Sequence, residues 1–329
     1  MMWLTWRQHR KLGLYTLLAL AVLAAVLVPS GLAMRNTANH LGLTACLAKL
    51  GTAQLTAGDC HAMGQQFQNQ YGALPFVGAL FVFLPLLVGL MVGAPIVARE
   101  IEHGTHRLVW TQGIGRLRWA LAKFGLLGVG SALAAAVYAQ LVGWWYQPLL
   151  QNAGGRLSYV TFDVQGIAPI GYTVFAFFLG VCAGVLSRRM LPAMGITVGV
   201  FLAVRAVVEV VARPRYMSPV TINNPIDSNL QNNNSSGAWV TSQGVHNAAG
   251  QVVMSNGQIG CPPASAGAQA QQCLDQLQQQ GYGQGPYTNF QTYQPGSRFW
   301  AFQGIETGIF VALAALLLVL AVQRLRRIA

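Results

Sequence analysis

The chain has 329 residues, of which 53% are hydrophobic and only 9% charged, against about 25% charged in a soluble domain. That balance excludes an ordinary soluble enzyme and describes an integral membrane protein. The net charge of +12 is a membrane-topology signal rather than the footprint of a nucleic-acid binder, because the positive residues segregate by side.

Residues 1–11 place Trp3 and Trp6 beside Arg7, His9, Arg10 and Lys11. This pattern suits a cytoplasmic interfacial segment or a plain topogenic flank. Apolar runs near the roughly 20 residues needed to cross a bilayer follow at 12–28, 74–97, 124–146, 167–186, 191–211 and 302–322. The first run exceeds the core of a secretory signal, and removing it would spoil the charge asymmetry, so it reads as an uncleaved helix. The expected fold is an all-α membrane protein of six transmembrane helices. Its segments are an interfacial piece (1–11), spans 1–5 (12–211) with a coupling segment at 99–123, an extracytoplasmic loop domain (212–299), span 6 (300–322) and a cytoplasmic tail (323–329).

Threading six spans puts thirteen of the twenty Lys and Arg residues on one side, in the groups Arg7–Lys11, Arg99–Lys123, Arg188–Arg189 and Arg324–Arg327. The longer loops opposite hold only Arg35, Lys49, Arg156, Arg213, Arg215 and Arg298, with Asp59, Asp163, Asp227 and Asp275. Positive residues stay in the cytoplasm, so both termini are expected there. Four of the five cysteines, Cys46, Cys60, Cys261 and Cys273, fall on the outer loops, and Cys182 falls in span 4. Outer cysteines suit an oxidising compartment. Cys46 with Cys60 and Cys261 with Cys273 are the nearest pairs, among three connectivities that four cysteines allow. The loop at 212–299 is rich in Asn, Gln, Gly and Ser, with Asn232 to Ser236 and Gln276 to Gln280 as biased stretches, and has little to bury.

A phosphate-binding loop needs Gly-Lys-Ser/Thr. The three lysines, Lys11, Lys49 and Lys123, never follow a glycine, so this chain is expected to bind no nucleotide by that route. His103 and His106 lack the metalloprotease order His-Glu-x-x-His, and no metal site is expected. No nucleophile–base pair supports a membrane enzyme either. Arg99, Glu100, Glu102, His103 and Arg107, with Ile101, Leu108 and Trp110, mix charged and apolar contacts in a way that suits docking against another protein. Resting on lipid is the plainer alternative. Arg205 and Glu209 are four apart on span 5, and Glu306 lies near the same end of span 6. Ionisable groups at membrane depth pair, or line a functional route, and here Glu209 or Glu306 is the expected partner of Arg205. Gly89/Gly93, Gly180/Gly184, Gly195/Gly199 and Gly304/Gly308 each form G-x-x-x-G, which permits close helix approach.

The stretch Gly93-Ala94-Pro95-Ile96-Val97-Ala98-Arg99-Glu100-Ile101-Glu102-His103-Gly104-Thr105-His106-Arg107-Leu108-Val109-Trp110-Thr111-Gln112 resembles the span 2 exit and coupling segment of permease subunits of ABC type-2 transporters, in their actinobacterial form. Thr5 to Arg10 and Tyr293 to Trp300 agree with it. The resemblance implies a half-transporter, homodimeric or heterodimeric, in the inner (plasma) membrane, beside a separate ATP-binding subunit that holds ATP and Mg. It also implies that 99–112 is the coupling helix and that export is the direction. The loop at 212–299 stands where relatives carry short re-entrant helices, which suggests a lid or docking surface. The alternative is a membrane sensor or immunity protein whose outer loop binds a ligand without transport.

If the outer cysteines are paired, the unreduced chain shows a gel mobility shift on reduction and exposes only Cys182 to a thiol mass tag. Five taggable thiols and unchanged mobility would reject the pairing.

Overall fold

A computed structural model describes residues 2–49, 60–102, 116–150, 155–226, 238–283 and 285–327. Among them, six helices are long and apolar enough to cross a membrane. Span 1 is α1 (Met2–His40). Two short helices, α2 (Leu43–Ala48) and α3 (His61–Tyr71), lead to span 2, which is built from α4 (Leu74–Leu80), a 3₁₀ turn (Phe81–Phe83), α5 (Leu84–Val88), a π turn (Gly89–Gly93) and α6 (Pro95–Glu102). Span 3 is α7 (Arg116–Leu150). A short α8 (Tyr159–Val164) precedes α9 (Ala168–Ser187), span 4. Span 5 is α10 (Met190–Val207), prolonged by a π turn (Val208–Ala212) and a 3₁₀ turn (Arg213–Arg215). Span 6 is α12 (Phe299–Arg327).

α9 is the axis of the bundle. It packs against spans 2, 3, 5 and 6, and 72% of its most apolar window is buried, against 22% for the spans on either side of it. Small residues make this possible. A Cβ on Gly180 would lie 2.5 Å from the Gly89 carbonyl oxygen and 2.6 Å from the Ala94 nitrogen, and one on Gly184 would lie 2.8 Å from the Ala94 carbonyl oxygen. Gly89 and Gly93 press reciprocally on the Ala176 and Phe177 backbones. Two of the four G-x-x-x-G pairs therefore form a single intramolecular seam. Among the described residues, Gly195/Gly199 and Gly304/Gly308 meet nothing within 4 Å.

α1 continues helical well past the apolar run 12–28, because its polar extension is anchored on span 3. The Arg35 guanidinium lies 3.9 Å from the Trp144 ring centroid and donates to the Trp144 carbonyl at 2.5 Å. Trp145 Nε1 donates to Ser30 Oγ at 2.9 Å. Trp145 and Tyr146 are buried at 2% exposure each, so they pack inside the bundle. A disulfide joins Cys46 to Cys60 beside α3.

Between spans 5 and 6 stands a folded unit. Strands β1 (Val220–Pro225), β2 (Trp239–His246), β3 (Val252–Ser255) and β4 (Thr288–Gln294) form an antiparallel sheet of order β1-β4-β2-β3. α11 (Ala268–Gln279) packs its Leu277 with Val245, Ile259 and Tyr287. The core is small, and two devices supplement it. A disulfide joins Cys261 to Cys273, and the buried Asn289 amide brackets Ile259 by accepting its N–H at 2.9 Å and donating to its carbonyl at 2.7 Å. β1 and β4 pair from Val220↔Tyr293 to Pro225↔Thr288 and run almost directly into spans 5 and 6. Gln294 Nε2 donates to the Met217 carbonyl, and Arg298 Nη1 to that of Ser218, each at 2.6 Å.

The seam yields a paired expectation. Gly180→Ala forces backbone apart and lowers stability by about 1–3 kcal/mol, the usual scale of overpacking. Gly199→Ala enters open space and is neutral or slightly stabilising through helix propensity. Thermal unfolding of the two variants in detergent checks the contrast.

Candidate functional site

At the end of the bundle that carries the sheet, four ionisable side chains meet inside the protein. Asp163 is 4% exposed, Arg205 6%, and Arg213 and Glu306 0%. Arg213 grips Glu306 through two nitrogens, Nε to Oε2 at 2.9 Å and Nη2 to Oε1 at 2.7 Å, while Nη2 also reaches Asp163 Oδ1 at 2.6 Å. Arg205 Nη2 donates to Asp163 Oδ2, and its Nη1 lies 3.5 Å from Glu306. Tyr172 donates to Glu306 at 2.5 Å and lies 3.2 Å from Asp163. Tyr216 donates to Glu306 Oε2 at 3.3 Å. Burial first, and the Glu306 carboxylate second, push the Tyr216 phenol above its usual pKa, so it stays protonated as a donor.

Each side chain arrives by a local device. Along span 5, Ala193, Thr197, Phe201 and Arg205 are buried at steps of four, Val208 three later, and Arg213 five later. The last step is made by the π turn, which inserts one residue per bulge. On an uninterrupted α-helix of about 100° per residue, Arg213 would point about 80° away from Arg205; one inserted residue brings it within about 20°. Asp163 is held by α8, whose neighbours Phe162 and Val164 are fully buried. Gln303, one turn before Glu306 on span 6, fixes that segment. Its Oε1 accepts the Ile167 and Ala168 N–H groups at 2.9 and 2.7 Å, and its Nε2 donates to the Phe162 carbonyl at 3.0 Å. Gly166, at φ +70°, makes the turn into α9, and a Cβ there would strike Gln303 Oε1 at 2.7 Å. Rings finish the enclosure. Arg205 lies 3.8 Å from the Tyr172 centroid and Arg213 4.4 Å from that of Phe162, positions that favour cation–π attraction.

The expected trio is therefore corrected. Arg205 and Glu306 belong to the cluster, but Glu209, half-buried beside them, makes none of its ion pairs. Asp163 and Arg213, counted among outer-loop charges, are its other members. The signals that mark them are an acid flanked by Phe162 and Val164 just before span 4, and an arginine eight residues after Arg205 followed by Pro214.

At the opposite end, Arg99, Glu100 and Glu102 close α6, while His103, Arg107 and Trp110 lie outside the described residues. Arg99 is exposed. Glu100 pairs with Lys123 at 2.5 Å, and Lys123, only 2% exposed, also donates to the Ile96 carbonyl at 3.1 Å. Glu102 Oε2 accepts the Met190 N–H at 3.1 Å, so it caps α10, an orientation the helix dipole favours. Among the described residues no group of three His, Cys, Asp or Glu side chains is placed to hold a metal ion.

Removing one member of a buried ion network leaves an uncompensated charge, typically 3–5 kcal/mol unfavourable. Arg213→Met is thus expected to lower the thermal midpoint strongly, Glu209→Gln to change stability by less than about 0.5 kcal/mol, and Arg213→Met with Glu306→Met to recover most of the loss. A double-mutant cycle of unfolding midpoints checks this, and additive losses would count against a coupled network.

No curated protein and no solved structure matches the chain. A family model described as ABC-2 membrane transporter related matches residues 17–213, which takes in the first five spans, the α8 turn and two arginines of the buried cluster. With six apolar helices and three fifths of its length matched, the chain is a multi-pass membrane protein that belongs to the ABC-2 membrane transporter related family.

Proposed function

We propose that the chain is the permease subunit of an ATP-driven ABC exporter, working as a dimer of permeases beside separate ATP-binding subunits that hold ATP and Mg. The observation that carries this reading is the family match across spans 1–5. Export is the direction that family analogy favours. Both termini and residues 99–112 then face the cytoplasm, since threading six spans through the sequence groups thirteen of the twenty Lys and Arg residues on that side.

The mechanism follows the contacts. Residues 99–112 receive the movement of the ATP-binding subunit. Glu100 transmits it to span 3 through Lys123, and Glu102 to span 5 through the N-terminus of α10. Span 5 ends in the Asp163–Arg205–Arg213–Glu306 cluster, which ties it to span 6 and to α8. In this reading the cluster is the outer gate, closed when its charges neutralise one another and opened when span 5 moves relative to α8. Breaking two buried pairs together requires several kcal/mol, which ATP binding in the partner supplies. A ligand sensor without transport is the competing reading, favoured by the folded, disulfide-bonded unit between spans 5 and 6.

Purification of the tagged chain with its co-expressed ATP-binding subunit tests both readings. A stoichiometric complex with ATPase activity supports the permease; a lone chain without ATPase supports the sensor. Arg107→Glu is expected to lower complex-dependent ATPase by about tenfold, the scale of one interfacial charge contact, with membrane insertion intact. Glu102→Gln, which keeps an acceptor for Met190, is expected to retain the fold and lose part of the coupling. Unchanged ATPase in both variants would refute the coupling role.

A further inference from the structure

A second polar site lies between spans 1, 2 and 3, at the end opposite the charge cluster. A cleft of about 250 Å³ opens there, with His9, Arg99, Glu100 and Lys123 at its polar part. Leu12, Met91, Val92 and Leu127 form its apolar wall. Met91 is 62% exposed, so the cleft opens sideways, toward where lipid lies in a membrane. The candidate spans begin at His9 and Leu117 and end at Glu102. At about 1.5 Å per residue, the polar part therefore lies within about 10 Å of the helix ends, the depth of phospholipid headgroups.

The charges select the occupant. Glu100 neutralises one of the two fixed cations, Lys123, which spends two of its three protons on Glu100 and the Ile96 carbonyl. Arg99 remains as an exposed cation, with Arg10 and Lys11 exposed on the α1 turn beside His9. His9 Nε2 is buried and has no hydrogen-bond partner among the described residues. The site therefore offers about one net positive charge and a ring nitrogen above an apolar wall. A free phosphate dianion would leave that wall uncovered. The volume is below the roughly 300–1,000 Å³ of sites that swallow a whole drug-sized ligand, and suits a headgroup with the first part of one chain, the rest of the lipid lying outside.

We propose that this cleft binds one anionic phospholipid, its phosphodiester against His9, Arg99 and Lys123 and an acyl chain along Leu12, Met91 and Leu127. The lipid bridges spans 1, 2 and 3 beside the segment that leaves α6. Nothing in this assignment requires transport, and its test reads lipid alone.

The full chain, purified in mild detergent and equilibrated with equal amounts of phosphatidylglycerol and phosphatidylcholine, is examined by native mass spectrometry. One phosphatidylglycerol is expected to stay bound in preference. Arg99→Gln, at an exposed position, is expected to lower its retention about fivefold, the scale of one cation near an anionic headgroup. Leu127→Trp, which fills the wall, is expected to abolish retention in a chain of unchanged helicity. Excess inorganic phosphate is expected not to displace the lipid. Equal retention of the two lipids, or retention unaffected by both substitutions, overturns the proposal. Displacement by phosphate also overturns it, and assigns the cleft to a free anion. The wild-type lipid preference and the phosphate competition decide the matter even if Leu127→Trp does not fold.

Discussion

Everything at the sheet end of the bundle depends on the requirement that two arginines and two carboxylates, once taken out of water, neutralise one another. An isolated ion in an apolar interior is several kcal/mol unfavourable even after relaxation, and these four come from different parts of the chain: α8, span 5 twice, and span 6. Their neutrality therefore dictates where α8 folds back, where span 5 widens into a π turn, and how span 6 is rotated. The two tyrosines and the Gln303 amide complete the arrangement by donating to carboxylates and holding backbone that would otherwise be free to drift.

The other end is organised by a different economy. There, Glu100 and Glu102 each hold a neighbouring span, one through a lysine ammonium and one through a helix N-terminus. Residues that look from their spacing like pure surface contacts thus carry internal duties as well. Between the two ends runs α9, with spans 2 and 4 brought together by glycines that leave backbone against backbone. A seam of that kind is stiff, because packed interiors have no slack to absorb sub-ångström shifts.

Six spans were legible in the sequence because each needs only a long apolar run, and that signal survives any detail of packing. The cluster was half legible. Arg205 and Glu306 stand out as ionisable groups within apolar runs, whereas Asp163 and Arg213 fall just outside those windows and were hidden by proximity to polar loops. Glu209 misled because a spacing of four places it on nearly the same face as Arg205, while the Arg205 guanidinium is taken by Asp163 and Glu306, which come from other elements. The sheet was illegible for another reason. Its strands are built from Thr, Asn and Gln, as in Val220–Pro225 and Thr288–Gln294, with no continuous apolar pattern, so composition indicated a polar loop domain with little core but not its strands. Nothing in residues 12–28 announces that α1 runs on to His40; that extension rests on Arg35 and Trp144, which are far apart in the chain.

The pairing of β1 with β4 limits how the bundle can deform. Because side chains alternate with a period of two, slipping this register by a single residue, about 3.3 Å, would turn every side chain of one strand to the wrong face. The two strands are extensions of spans 5 and 6, so those spans cannot piston past each other along their axes. They are left with rotation or tilting as a pair, and the sheet rides with them like the handle of a lever, turning a small angular change among the helices into a larger sweep of its far edge, β3.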